Sequence, residues 1–284
     1  VNSAHTPCPL NVAQIAAALD DLRSGLARHF DVDVLPECDS SNSQLLARAE
    51  TGAASGSVIV AQYQTAGRGR RGRDWHSAPD DSLCFSLLWR FSPQTSLAGL
   101  SLAVGVALAR ALESLGASGI GLKWPNDLLF KDRKLAGILI ELSSTARHQP
   151  TNRPGIAAVI GIGLNLRRPT NLPVELHAQT AALDEIGPLT DFPIRGEPHQ
   201  MLAHLLAHLF DVLNVFAHQG FSALRNDWLQ RHAWQGRNVR LLTDHAEPLE
   251  GLCLGVDGDG ALLLETAGGQ QRIISGEVSL RQAS

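Results

Sequence analysis

Residues 67 to 73 alternate small and cationic positions, Gly67-Arg68-Gly69-Arg70-Arg71-Gly72-Arg73, and Trp75 closes the run. Guanidinium groups at this density suit a carboxylate or a phosphate, because each is a planar, permanently charged fork that can grip two oxygens at once. The interleaved glycines allow backbone conformations that bring amide hydrogens close to the same anion. Without an anion the arginines repel one another, so the loop is expected to be mobile when empty and ordered when filled. Lys123-Trp124-Pro125-Asn126-Asp127 sets an ammonium and a carboxylate on either side of a turn enforced by Pro125. It fits phosphate, metal or proton handling as well as an ordinary turn. Lys134 enters an otherwise apolar run ending at Glu141, and either snorkels to the surface or faces an anion where Gly137 leaves room. In Gly161-Ile162-Gly163-Leu164-Asn165, a buried strand ends in either a turn former or a ligand donor.

Simpler motif readings fail on context. Gly67 to Gly72 spells the dinucleotide pattern G-x-G-x-x-G, yet Asp74 to Asp81 has no helical periodicity, and no acidic residue ends a second strand at the required distance. A phosphate-binding P-loop would need Lys and Ser or Thr where Arg73 and Asp74 stand. His204 and His208 have a metal-ligand spacing on one helix but no third ligand, and Asp257-Gly258-Asp259-Gly260 starts like a calcium loop without its later glutamate. No Gly-x-Ser-x-Gly elbow marks a hydrolase.

The elements that must carry these groups follow from periodicity. Val12, Ile15, Ala16, Leu19, Leu22 and Leu26 predict a first helix, ending before a break at Leu35-Pro36. A second helix starts near Ser41, Leu97 to Leu115 forms a buried one, and His199 to His218 follows the helical apolar rule throughout. Val58 to Ala61, Leu83 to Trp89, Gly121 to Trp124, Lys134 to Leu142 and Ala157 to Leu164 read as strands of one central sheet. After Gln235-Gly236 come four strand-like runs, Val239 to Leu242, Leu249 to Val256, Ala261 to Glu265 and Arg272 to Ser275, which predict a small β-barrel. The fold class is α+β, a central mixed sheet flanked by helices. It divides into a helical extension over residues 1–34, a main domain over 35–235 and the barrel over 236–284.

The 284 residues, 44% hydrophobic, can bury a substantial core, and a net charge of -4 excludes a general nucleic-acid coat. The segment Val1-Asn2-Ser3-Ala4-His5 lacks the features of a signal peptide, and no apolar stretch approaches a membrane span, so a cytoplasmic protein without membrane contact is expected. Cys8, Cys38, Cys84 and Cys253 are scattered and read as reduced thiols.

Taken in order, Asp39-Ser40-Ser41-Asn42, the arginine loop with Trp75, Lys123 to Leu128, Arg133 to Leu139, Gly161 to Asn165 and Ser275-Gly276-Glu277-Val278-Ser279-Leu280-Arg281 resemble the biotin protein ligases, also called biotin-[acetyl-CoA-carboxylase] ligases. The resemblance runs from about residue 35 to the C-terminus. It implies a class II synthetase-like catalytic domain followed by an SH3-like barrel. It also implies a two-step reaction: biotin and magnesium-bound ATP give biotinyl-5′-AMP, and a lysine of a biotin carboxyl carrier protein takes the biotinyl group. Arg70, Lys134 and Asp127 correspond to the catalytic positions, with Asp127 placed to handle the acceptor amine's proton. Ser40, Ser41, Asn42, Gln64, Arg68, Gly69, Arg70, Lys134 and Gly137 correspond to biotin-binding positions. Arg71, Arg73, Trp75, Lys123, Asn126, Asp127 and Asn165 correspond to those around ATP and the adenylate. No metal ligand is assigned on the protein, and magnesium is expected with ATP.

Two departures stand out. Ser41 occupies a position where the family usually has threonine, which keeps the hydroxyl and loses a methyl. Only 38 residues precede Asp39, too few for the winged helix-turn-helix of bifunctional relatives, so a monofunctional ligase that binds no DNA is expected. A homodimer is possible, since relatives pair through sheet edges. The competing readings are a lipoate or octanoate ligase-type acyl transferase on the same fold, and a non-catalytic RNA-binding protein using the Arg-Gly loop.

Overall fold

A computed structural model of the protein describes residues 10–78, 81–143, 155–168, 172–186, 198–243, 247–274 and 278–282. Cys8 and the Ser275 to Glu277 part of the last motif lie outside the described residues, as does the side chain of Arg281. Seven strands form one mixed sheet in the order β1-β2-β3-β7-β6-β5-β4. They are β1 Asp31–Leu35, β2 Ser57–Ala61, β3 Ser82–Phe91, β4 Ile120–Lys123, β5 Asp127–Phe130, β6 Arg133–Leu142 and β7 Ile156–Asn165. The β1–β2 pair is parallel and the remaining pairs are antiparallel.

Strict alternation sends each strand's side chains to two different layers. Val58 and Val60 of β2, Phe85 and Leu87 of β3, and Ile160 and Ile162 of β7 enter the main core. There they join helices α1 Val12–Leu22, α3 Leu100–Ser114 and α5 Pro198–Gln219. Ile59, Leu88, Ala157 and Val159 point the other way, onto Leu45 and Ala49 of α2 Ser41–Glu50. Helix α2 covers only part of that second face. The rest, toward Gly161, Gly163 and Asn165, is where the site lies. A short α4, Val174–His177, and α6, Arg225–Gln230, complete the α-helices among the described residues. Helix α5 is long and apolar enough to cross a membrane by length and composition, but it is a core helix here, with Leu202, Leu205, Leu206, Leu209, Leu213 and Phe216 buried.

Several expectations need correction. The helical extension expected over residues 1–34 does not hold at its end: Asp31-Val32-Asp33-Val34-Leu35 alternates and pairs with β2 as an edge strand. The first helix stops at Leu22, and Leu26 packs into the core from a separate turn. The Asn126-Asp127 turn leads directly into a further strand, β5, which pairs with both β4 and β6. The C-terminal part has five strands rather than four: β8 Asn238–Thr243, β9 Leu249–Val256, β10 Leu262–Thr266, β11 Gly269–Ile273 and β12 Val278–Gln282. All are antiparallel, in the order β11-β10-β9-β8-β12.

The two sheets are tied together at His232 and Trp124. The Trp124 indole donates to the Gly260 carbonyl at 3.1 Å. His232 is buried against Trp228, with Cys253 Sγ at 3.9 Å and Gln235 Oε1 at 3.2 Å. Burial drives its pKa down to about 4, only partly opposed by the hydrogen bond to Gln235. Below its ordinary value of 6.5 the unfolded chain therefore takes up a proton that the folded chain refuses, so folding stability drops as the pH is lowered. The loss should begin near pH 6.5 and level off near pH 4. Urea denaturation across this range should give a flatter pH profile for His232→Gln than for the unaltered protein.

Candidate active site

The sheet face beyond α2 owes its depth to β7. Gly161 and Gly163 sit where Ala157 and Val159 would otherwise continue a row of side chains. A methyl group at 161 would collide with Asn42 Oδ1, and one at 163 with the Trp75 indole, so both rest directly on the strand backbone. Across the sheet Gly137 pairs with Gly163 and Leu139 with Gly161. A Cβ at 137 would lie 3.1 Å from the Lys134 ammonium and 3.1 Å from the Trp75 ring.

Lys134 and Gly137 are an odd number of residues apart, so a regular strand would put them on opposite faces. A β-bulge resolves this. Pairing steps from Leu128↔Ala136 to Leu129↔Lys134, leaving Leu135 as the extra residue. Leu135 and Ala136 both enter the core, and Lys134 is returned to the face of Gly137 and Asp127. Its Nζ lies 2.7 Å from Asp127 Oδ1 and 5.6 Å from the Trp75 ring centre. The β4–β5 hairpin, whose Trp124–Pro125 peptide is cis, places Lys123 directly opposite Asp127, with 3.8 Å between ammonium and carboxylate.

The arginine loop is a narrow hairpin. Trp75 N donates to Gly67 O at 2.9 Å, Gly69 N to Arg73 O at 2.6 Å, and Arg71 and Gly72 turn the chain with φ of 61° and 66°. A Cβ on Gly67 would lie 2.6 Å from the Trp75 carbonyl, so this glycine serves the hairpin's close approach. The amides of Gly69 and Trp75 are thus engaged inside the loop rather than presented to an anion, which leaves charge delivery to the side chains. Arg70 reaches Asn126 Oδ1 at 3.2 Å; burial lowers its pKa, and Asp127 opposes that shift. Arg68 pairs with Glu141 at 2.6 Å.

These elements enclose two connected compartments. The inner pocket is lined by Ser40, Ser41, Asn42, Gln64, Arg68, Gly69, Arg70, Lys134 and Gly137, with Trp75 and the β7 glycines as its wall. Its floor is a neutral polar network. Ser41 N donates to Gln64 Oε1 at 2.8 Å, and the buried Ser86 hydroxyl donates to Asn42 Oδ1 at 2.6 Å while standing 2.8 Å from the Ser41 hydroxyl. Asn42 Nδ2 donates to Glu141 at 2.9 Å. The outer cleft, about 440 Å³, is cationic and lined by Arg70, Arg71, Arg73, Trp75, Lys123, Asn126, Asp127, Lys134 and Asn165. Arg70, Asn126, Lys134 and Trp75 face both spaces. Asn165 also braces the fold, donating to Ala181 O at 3.0 Å and Lys134 O at 3.4 Å.

Sequence reasoning passed over Ser86, Glu141 and Trp234. Ser86 was detectable as a lone polar residue within the apolar run Leu83 to Trp89, and Glu141 as an acid closing the Lys134 strand. Trp234 lines the outer cleft from a distant segment and carried no local signal.

Residues 35–165 match the Biotin/lipoate A/B protein ligase family, and residues 236–281 match the Biotin protein ligase C terminal domain. The Bifunctional ligase/repressor BirA of Escherichia coli is 37% identical over 277 residues, which cover 96% of this chain and 79% of that protein. The Biotin--[acetyl-CoA-carboxylase] ligase of Mycobacterium tuberculosis is 31% identical over 87% of this chain and 88% of its own length. The solved structure of the biotin protein ligase from Aquifex aeolicus in complex with biotin and ATP aligns with a TM-score of 0.74 at 30% identity, covering 89% of this chain and 99% of that one. On sequence, fold and domain order together, the chain belongs to the biotin protein ligase family.

Proposed function

We propose that this protein joins biotin to a specific lysine of a biotin carboxyl carrier protein, using ATP and passing through biotinyl-5′-AMP. The observation that carries the reading is the junction of the two compartments. The neutral polar floor of the inner pocket suits the ureido head of biotin, a cationic cleft suits a triphosphate, and Arg70 and Lys134 stand where the two spaces meet. In the first step a carboxylate oxygen of biotin attacks the α-phosphorus of ATP. The new O–P bond forms as the bond to the β-phosphate oxygen breaks, and pyrophosphate leaves. Two anions must approach each other for this, and the cationic side chains offset their repulsion and the charge gathering on phosphorus. In the second step the acceptor amine attacks the biotinyl carbonyl, AMP leaves, and Asp127 takes the amine proton. Magnesium arrives on the phosphates of ATP.

In this reading the catalytic unit runs to residue 235 and takes in β1 and helix α1, which join the central sheet and the main core, and 236–284 form a C-terminal unit. A homodimer gains support from β6, whose pairing with β5 ends at Gly137, and from Leu142 beyond it, which is 55% exposed. Free buried thiols at Cys84, pushed up to about 11 by burial, and at Cys253 fit a reducing compartment such as the cytoplasm.

Isotope exchange from pyrophosphate into ATP should depend on biotin. Exchange driven by lipoate instead would move the assignment to the lipoate branch, and none with either would leave a binding protein only. Arg70→Ala and Lys134→Ala should each lower adenylate formation roughly 10²-fold or more while leaving the thermal midpoint nearly unchanged; full turnover in both would remove these assignments. Limited proteolysis should cut the chain between Gly67 and Arg73 more slowly with biotin and ATP present than without them.

A further inference from the structure

We infer that Trp234 is a positioning residue for the nucleotide half of the reaction, holding the Lys123 ammonium against the outer cleft. This inference rests on the proposed ATP-dependent ligation. Just before β8 the chain runs alongside β4. Leu122 N donates to Arg231 O at 2.7 Å and Ala233 N to Leu122 O at 2.9 Å, a parallel bridge pairing Leu122 with His232. Gly121 permits this approach, since a Cβ there would lie 2.9 Å from that of Ala233. Lys123, the residue after Leu122, and Trp234, two residues after His232, then come together. Lys123 Nζ lies 4.7 Å from the centre of the Trp234 ring.

Both side chains are well shielded, Trp234 at 5% and Lys123 at 12% exposure, so the attraction between ammonium and ring is little weakened by water. The indole is itself fixed: its Nε1 donates to Asp132 Oδ1 at 3.3 Å, and Asp132 is gripped by Arg237 at 3.1 Å. Asp132 is presented by the β5–β6 turn, where Lys131 and Asp132 both take positive φ. Lys123 is thus set between a π face on one side and the Asp127 carboxylate on the other, within the wall that both residues share with Trp234. A flexible ammonium would otherwise lose much of its conformational freedom on meeting a phosphate, and fixing it beforehand removes that cost. The device spans the boundary between the two sheets, so the segment that enters the C-terminal sheet helps to set the nucleotide site.

The test compares Trp234→Leu, which removes the π face, with Trp234→Phe, which keeps one. In biotin-dependent pyrophosphate exchange, Trp234→Leu should raise KM for ATP about 10-fold with a smaller change in kcat. Biotin affinity by calorimetry should stay within about 2-fold, and Trp234→Phe should recover most of the ATP effect. The chain has three lysines, Lys123, Lys131 and Lys134, so reductive ¹³C-methylation gives a spectrum simple enough to follow Lys123. Its signal, identified with Lys123→Arg, should lose its ring-current shift in Trp234→Leu and keep it in Trp234→Phe. If Trp234→Leu does not fold, Trp234→Met takes its place. An unchanged KM for ATP in the folded variant overturns the inference. So does a loss of biotin and ATP binding in step, which would mark a purely structural residue. Absence of biotin-dependent exchange in the unaltered protein would instead overturn the proposed ligation, while the lysine spectrum would still report whether Trp234 holds Lys123.

Discussion

Asp127 must answer two ammonium groups at once, and much of the site is arranged around that requirement. Lys134 lies 2.7 Å from its carboxylate and Lys123 3.8 Å away, while Arg70 feels its charge from the loop above. Each cation arrives by a different route. Lys123 is carried by the strand before the Trp124–Pro125 turn, Asp127 by the strand after it, and Lys134 by the next strand, once the Leu135 bulge has changed its side of the sheet. Asp74 and Asp132 line the same cleft, but its five cations, Arg70, Arg71, Arg73, Lys123 and Lys134, outnumber the three carboxylates, and in a shielded cleft such an excess acts on a bound anion far more strongly than it would in water.

The same excess has to be tolerated by the protein itself. Arg68 is neutralised by Glu141, which also receives the Asn42 amide, so one acid links the loop to the polar floor. Arg71 and Arg73 line the wider outer cleft. Arg70 is the more buried case, and its lowered pKa reflects the work of holding a guanidinium away from solvent. The floor of the inner pocket follows the opposite rule: Ser41, Asn42, Gln64 and Ser86 are uncharged and hydrogen-bond among themselves, and the Asn42 amide passes on to Glu141. The sheet therefore supports a neutral recognition surface and a charged reaction surface side by side, separated by little more than the Trp75 ring.

Much of this was legible in the letters because the chemistry constrains residue types within short segments. The arginine loop, Lys123 to Asp127 and Lys134 to Gly137 each announce themselves locally, and the structure brings them to one face. What was not legible is non-local or depends on parity. The acid-apolar alternation of Asp31 to Leu35 resembles a solvent-facing connection until β2 is known to lie beside it. Asn126-Asp127 reads as a turn, and only its pairing on both sides reveals a strand. A bulge adds no distinctive residue, so nothing in Lys134-Leu135-Ala136-Gly137 tells a reader that Lys134 and Gly137 share a face. Trp234 is brought to Lys123 by a bridge between segments far apart in the chain.

The glycines of β7 have a consequence for altering what the inner pocket accepts. With Asn42 and Trp75 already resting on bare backbone at 161 and 163, that wall has no atoms left to trim. On that side a bulkier analogue gains room by shortening Asn42 or Ser86, which unpicks the polar floor, or by replacing Trp75, which opens the partition to the outer cleft. Along the β7 wall, redesign for size therefore cannot be separated from redesign for polarity or for containment.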